Sequence, residues 1–395
     1  MNVTATVDRL RREGIQVIDF GAGEPDFPTP APVKAAARDA LDQNFTRYTP
    51  PSGIVDLKRA ICDRYRTDYG VQFTESEVIV TAGGKQALYN TALALFGPGD
   101  EVITHTPYWP TLTEQIKLAD ATPVLAPTHA DDGFAIHAGA IVDRITPRTR
   151  GIIINSPCNP TGALIAEGDL AAIGDAAARQ GIWIVVDLCY EKLIYDEVAH
   201  NLARALTARC RDLAVFCGSA SKAYAMTGWR CGWAIGPTAV IAACGAIQSH
   251  ATSNVTSISQ KAAVAALTGS QAPVKEMLDE YRRRRDQLYG WLGADARLRC
   301  RKPAGAFYMF IDIGELLSVN GFRTSVDFAD ALLKEARVAV TPGEAFDAPG
   351  FIRISYATSL DNLREGSTRL LDFVRAHQGQ RTHVSTAKSR VSTLT

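Results

Sequence analysis

The feature that most constrains this chain is an alternation. Short, nearly continuous apolar runs such as GIIIN (residues 151–155) and IWIVVD (182–187) recur between alanine-rich stretches with helical spacing, such as residues 166–179. A strand that is apolar at every position buries both faces, unlike the alternating strand of a half-solvated sheet. Seven strands are expected, near residues 78–81, 101–104, 122–125, 151–155, 182–187, 214–218 and 232–235. Strands parted by helices predict an α/β fold, a mostly parallel seven-stranded sheet covered by helices on both sides. Past residue 270 the texture changes. A charged helix, PVKEMLDEYRRRRDQLYGWL, leads to strands near 306–312, 338–341 and 351–355, which predict a smaller α+β domain. A length of 395 residues suits two domains. The expected division is a large domain over 30–275, a small domain from 1–29 and 276–377, and a polar, disordered tail over 378–395.

Several function classes lose support at once. Lys plus Arg and Asp plus Glu both total 42, so nothing electrostatic favours nucleic acid or an anionic membrane as partner. The basic run Arg282 to Arg285 lies in a helix, where successive residues are about 100° apart, so it is expected to wrap round a solvated surface rather than form a stripe. No apolar run nears the roughly 20 residues of a membrane span. Eight cysteines without a C-x-x-C pair, and an N-terminus without an apolar leader, predict reduced thiols in a cytoplasmic protein. Seven isolated histidines lack ligand spacing, so no metal is expected.

Ligands of such sheets bind at the carboxyl ends of the strands, and the chemically notable residues cluster there. They are GGK (Gly83–Lys85), PYW ending at Trp109, NSPCNPTG from Asn155, DLCY (Asp187–Tyr190) and SASK (Ser219–Lys222), with TGWR, ending at Arg230, before a further strand. Lys222, framed by small residues and hydroxyls, is either a surface loop lysine or an amine that attacks a carbonyl. Asp187 closes a buried strand, where a carboxylate needs a cation or hydrogen bonds, unless it caps a helix. Gly83 and Gly84 precede a helix whose first N–H groups can face an anion. Ser219 and Ser221 can add hydroxyls there, and Arg230 a two-pronged guanidinium. Arg353, in the apolar run FIRIS, needs an anion to justify its position. Tyr190, Asn159 and Trp109 taken singly are ordinary loop or packing residues.

Together, in this order and spacing, these motifs resemble the class I aminotransferases, pyridoxal-phosphate enzymes of fold type I, over roughly residues 8 to 375. The likeness is strongest to the bacterial aspartate aminotransferase subgroup that includes prephenate aminotransferases. The resemblance implies pyridoxal 5'-phosphate held by Lys222 as a Schiff base, with Lys222 then carrying the substrate's α-proton as base and acid. It implies Asp187 on the pyridine nitrogen, Tyr190 and Asn159 on the phenolic oxygen, and Trp109 stacked on the ring. Gly83, Gly84, Lys85, Ser219, Ser221 and Arg230 would surround the phosphate end. Tyr48, in YTPPSG, would reach the same phosphate across a homodimer interface, so active sites would be shared. Arg353 would clamp the substrate's α-carboxylate, with Gly23 of GAGEPDF approaching it closely.

Three departures temper the resemblance. Leu188 and Cys189 replace the Glu-hydrophobic pair usual between Asp and Tyr, and Cys158 replaces a common second Asn. Cys158 is read as a packing residue. Lys85 matches the reader of a distal carboxylate, which favours aspartate- or glutamate-like donors in a ping-pong exchange with a 2-oxo acid. The chain, however, begins short of the subgroup's usual N-terminal arm. An aminotransferase for an unusual secondary-metabolite amino acid and a β-lyase or elimination enzyme remain open on the same scaffold. A cofactor-binding regulatory module is the rival of another class.

Overall fold

The computed structural model describes residues 3–319 and 321–377, so the tail expected over 378–395 lies outside the described residues. A helix (Val3–Arg12) leads to a short strand, β1 (Ile18–Asp19). Seven strands then follow with helices between them: β2 (Val78–Thr81), β3 (Glu101–Thr106), β4 (Thr122–Pro127), β5 (Thr149–Asn155), β6 (Trp183–Asp187), β7 (Ala214–Ser219) and β8 (Gly232–Ile235). They form one sheet in the order β2-β8-β7-β6-β5-β3-β4. Every pairing is parallel except the two made by β8, which runs antiparallel to both β2 and β7. All seven strands stand where the apolar runs predict them.

Burial on both faces is visible residue by residue. Ile152, Ile154, Ile184 and Val186 pack into the apolar cluster on one side of the sheet, whereas Ile153, Val185 and Val215 pack into another. This is the period-2 alternation of strand side chains with no polar face. Because β2 and β7 both oppose β8, the carboxyl ends of β2, β3, β5, β6 and β7 share one edge. Gly232, at the start of β8, pairs there with Thr81 and Ser219.

The second part of the chain contributes β9 (Arg299–Cys300), β10 (Tyr308–Asp312), β11 (Val338–Ala339), β12 (Thr341–Pro342) and β13 (Phe351–Ser355). An antiparallel sheet has the order β12-β13-β10-β9, and β11 pairs in parallel with β1. The single strand expected over 338–341 is therefore two. The run Val338-Ala339-Val340-Thr341 contains no glycine or proline to break it; partners divide it, β1 taking 338–339 and β13 taking 341–342. A separate apolar cluster, including Phe20, Tyr281, Phe307 and Ile354, lies under these elements.

The basic run also differs from expectation. On the helix Ala272–Leu292, Arg284 is 6% exposed and Arg285 0%. Tyr281, Leu288 and Leu292 share the buried face, so helical phase carries the two arginines inward. Their charges are met by Asp26 and Glu280 for Arg284, and by Asp196 and Asp286 for Arg285. Arg283 is exposed and Arg282 lies at the boundary, half-buried.

Candidate active site

A cleft of about 550 Å³ opens at the carboxyl edge of the large sheet. Its anion-receiving end is built from bare backbone. The helix Gly84–Leu95 starts directly after β2, with Gly83 at φ 83°, a left-handed conformation that suits glycine. A Cβ on Gly83 would meet Arg230 Nη2 at 2.3 Å, and one on Gly84 would meet Cys189 Sγ at 2.7 Å. Gly232 is pressed in turn against this turn: its Cβ would lie 2.5 Å from Gly84 N. The first N–H groups of the helix have no partner within it. Ser219 and Ser221 stand beside them, their hydroxyls 2.8 Å apart. Arg230 donates to the carbonyls of Thr227 (2.9 Å) and Ala82 (3.2 Å), which fixes its guanidinium at the same corner.

Asp187, the last residue of β6, is 2% exposed and lines the cleft. The backbone N–H of Cys189 donates to its Oδ1 at 3.0 Å. Burial nonetheless raises its carboxyl above the ordinary value, because hydrogen bonds and the charge of Lys222 offset only part of the desolvation. Lys222, half-buried, donates from Nζ to the carbonyl of Gly23. Burial pulls its ammonium below the ordinary lysine value, against the pull of Cys189 and Glu24 and with the push of Arg353 and Arg230. A lysine so tuned carries more free amine at neutral pH, as a nucleophile or base requires.

The other end of the cleft is a carboxylate receptor. Arg353, on β13, donates from Nη1 to Asn159 Oδ1 at 2.8 Å and from Nη2 to the carbonyl of Gly21 at 3.0 Å. Its guanidinium lies 4.2 Å from the Tyr308 ring centroid, and its buried Nε has no partner among the described residues. Tyr308 and Tyr190 share a hydrogen bond of 2.8 Å between hydroxyls, and burial foremost raises the Tyr190 phenol well above its usual value. Lys85 and Trp109 line the wall together, Nζ sitting 5.0 Å from the ring centroid.

Of the residues singled out for the site in the sequence, all but Gly83, Tyr48, Cys158 and Leu188 line this one cleft, and Leu188 packs into the core. Gly83 supports it from behind through Arg230. Tyr48 is 90% exposed and is no part of the cleft of its own chain. Cys158 is buried and absent from the lining, while Cys189 faces the cleft. Sequence reasoning gave no role to Glu24, Thr227, Tyr308 or Asn155, the last noted only as the head of NSPCNPTG. Thr227 donates to Glu24 Oε2 at 2.8 Å across the rim. Asn155 carries the same signature as Asp187, a polar residue closing an apolar strand, and that rule would have found it.

The donor set fits pyridoxal 5'-phosphate. A buried carboxylate lacking a full complement of partners suits a protonated pyridine nitrogen. A corner of two glycines, two hydroxyls, a helix start and an arginine, which any Cβ would fill, suits a doubly charged phosphate. A lysine of lowered proton affinity suits an aldehyde. No group of three or more metal-binding side chains occurs among the described residues, and none of their helices is long and apolar enough to cross a membrane.

Residues 15–370 match the family model described as aminotransferase class I and II. The chain is 41% identical over 374 residues to an aspartate aminotransferase of Geobacillus stearothermophilus, covering 95% of each. It is 42% identical over 377 residues to an aspartate/prephenate aminotransferase of Cereibacter sphaeroides, covering 94% of each. Its fold superposes on a Thermus thermophilus aspartate aminotransferase structure with maleate at a TM-score of 0.88 and 40% identity, over 94% of this chain and 95% of that one.

Proposed function

The chain belongs to the class I and II aminotransferase family, and we propose that it moves the amino group of aspartate or glutamate to a 2-oxo acid such as 2-oxoglutarate or oxaloacetate. The cofactor is pyridoxal 5'-phosphate, which supplies an electrophilic aldehyde and an electron sink for charge left on the substrate's α-carbon. The observation that carries the reading is the convergence of Lys222, Asp187, Arg230 and Arg353 on one cleft.

In this reading Lys222 would hold the aldehyde through its amine and would carry the substrate's α-proton as general base and acid. Asp187 would meet the pyridine nitrogen, and Tyr190 and Asn159 would hydrogen-bond the phenolic oxygen. Gly83, Gly84, Ser219, Ser221 and Arg230 would hold the phosphate, and Trp109 would cover the ring. Arg353 takes the α-carboxylate in two-pronged contact beside Gly23. Its unpartnered Nε supports this, since a buried donor without an acceptor is costly until a ligand arrives. Lys85 reads the distal carboxylate, supported by its place over Trp109 on the cleft wall.

The active unit is a homodimer with shared sites. A tyrosine as exposed as Tyr48, at the head of YTPPSG, is available to a second copy. The separate apolar clusters support a large domain over 30–275 and a small one from 1–29 and 276–377, closing on each other over substrate. Unpaired, mostly buried cysteines are compatible with a cytoplasmic setting.

The test is an absorbance spectrum of the cofactor-loaded protein as single amino acids are added without an oxo acid. Aspartate or glutamate should bleach the cofactor band at once, and Lys85→Ala should lose that response selectively, weakening dicarboxylic donors about tenfold or more. Bleaching by other donors alone would remove the acidic preference. Ammonia accumulating while the band persists would replace transfer with elimination.

A further inference from the structure

Behind the cleft stands a buried histidine that the reaction above does not use. His105, on β3, is 1% exposed, and its Nε2 accepts the backbone N–H of Asn155 at 3.2 Å. A backbone N–H aimed at Nε2 makes that nitrogen the acceptor, which places the proton of the neutral ring on Nδ1.

The next bonds run towards substrate. Asn155, fully buried, accepts the backbone N–H of Asn159 on Oδ1 at 2.8 Å. Asn159 Oδ1 accepts Nη1 of Arg353 at 2.8 Å. Three consecutive hydrogen bonds thus lead from the His105 ring to the guanidinium. The base of the same loop is fastened separately: Ser156 Oγ lies 2.9 Å from His200 Nε2 and accepts the N–H of Ile165 at 3.0 Å. A leucine at 105 would fill the space, yet it would leave the Asn155 N–H buried without a partner.

We propose that His105 is a positioning residue, which holds the Asn155 backbone so that Asn159 aims Arg353 at the substrate's α-carboxylate. The inference rests on the reading of Arg353 as carboxylate clamp. It leaves the proton carried by Lys222 untouched and reaches the cofactor only through Asn159, whose Oδ1 is given to Arg353 and whose Nδ2 is left for the phenolic oxygen, so affinity for carboxylates should change far more than the chemical step.

The experiment uses the holoenzyme with His105→Leu, which keeps volume without an acceptor, and His105→Gln, which keeps an acceptor and a donor. Steady-state constants for aspartate, the dissociation constant of succinate, and hydrogen exchange over residues 155–165 are measured for each. His105→Leu should raise KM and the succinate constant about tenfold, the scale of one misplaced charged hydrogen bond, and leave kcat within about twofold. Exchange over 155–165 should quicken, and His105→Gln should restore most of all three. Should His105→Leu not fold, His105→Asn, whose shorter arm withdraws the acceptor, takes its place. Unchanged succinate affinity, a glutamine no better than leucine, or a kcat that falls in step with affinity would each overturn the proposal. Arg353→Ala separates the layers. If it leaves succinate binding intact, the clamp reading fails and the proposal with it; if succinate binding depends on Arg353 but not on His105, only the proposal fails.

Discussion

Asp187 shows how a single residue can be wrong for its fold and right for its ligand. Its carboxyl is raised above the ordinary value by burial, so the folded chain resists the charged form. The cost of carrying that charge grows as pH rises through the ordinary carboxylate range. Asp187→Asn removes the charge and keeps the shape. Without cofactor it should therefore stabilise the protein at pH 7, and by less at pH 4. The same change should weaken pyridoxal phosphate binding about tenfold or more, because the pyridinium loses its counter-charge. Denaturation midpoints of the cofactor-free protein and a fluorescence titration check the two signs, and loss of both quantities together would mark Asp187 as merely structural. Asp187 was legible in sequence because a charge at the end of IWIVVD has no apolar justification. Tyr308 was not, since an aromatic residue beginning a strand in AFYMF reads as core. The facing of Cys189 rather than Cys158 into the cleft depends on where the loops turn, which spacing alone does not encode.

At the scale of elements, the segment from Asn155 to Ile165 hangs on two histidines whose ordinary state is neutral. Burial lowers both His105 and His200 to about 4, from a usual value of 6.5. Between these values the unfolded chain binds more protons than the folded one, so stability falls as pH drops. The contribution is complete above about pH 6.5 and lost towards pH 4, amounting to roughly 3 kcal/mol for the buried His105 ring and less for the partly exposed His200. Urea denaturation between pH 7 and 4.5 should show this slope, and His105→Gln should flatten part of it; an unchanged slope would mean that the ring is not buried neutral. None of this was legible beforehand, because an isolated histidine in VITHTP carries no sign of its partner on the next strand. The basic helix was half legible. Tyr281, Leu288 and Leu292 mark its buried stripe by their spacing, and Arg284 and Arg285 fall on that stripe. Reading the four arginines as a ring ignored the face already set by their apolar neighbours.

At the scale of the whole molecule, the sheet was legible because strands buried on both faces announce themselves, whereas its order was not. The antiparallel insertion of β8 between β2 and β7 brings TGWR back to the edge where SASK and GGK end. That closure assembles one end of the cleft from three distant segments, leaving Tyr48 on the outside. If Tyr48 serves a neighbouring copy, each site draws Tyr48 from one chain and Lys222 from the other. Two inactive proteins, Tyr48→Ala and Lys222→Ala, then make a decisive mixture. After dissociation and reassembly, about half the dimers are hybrids, and each hybrid carries one site with both defects and one with neither. Activity should return to about a quarter of the wild-type value per chain, although neither parent has it. If Tyr48 acted within its own chain, every site of the hybrid would remain defective and mixing would restore nothing. The recovered fraction therefore reports directly whether the catalytic unit is the chain or the pair.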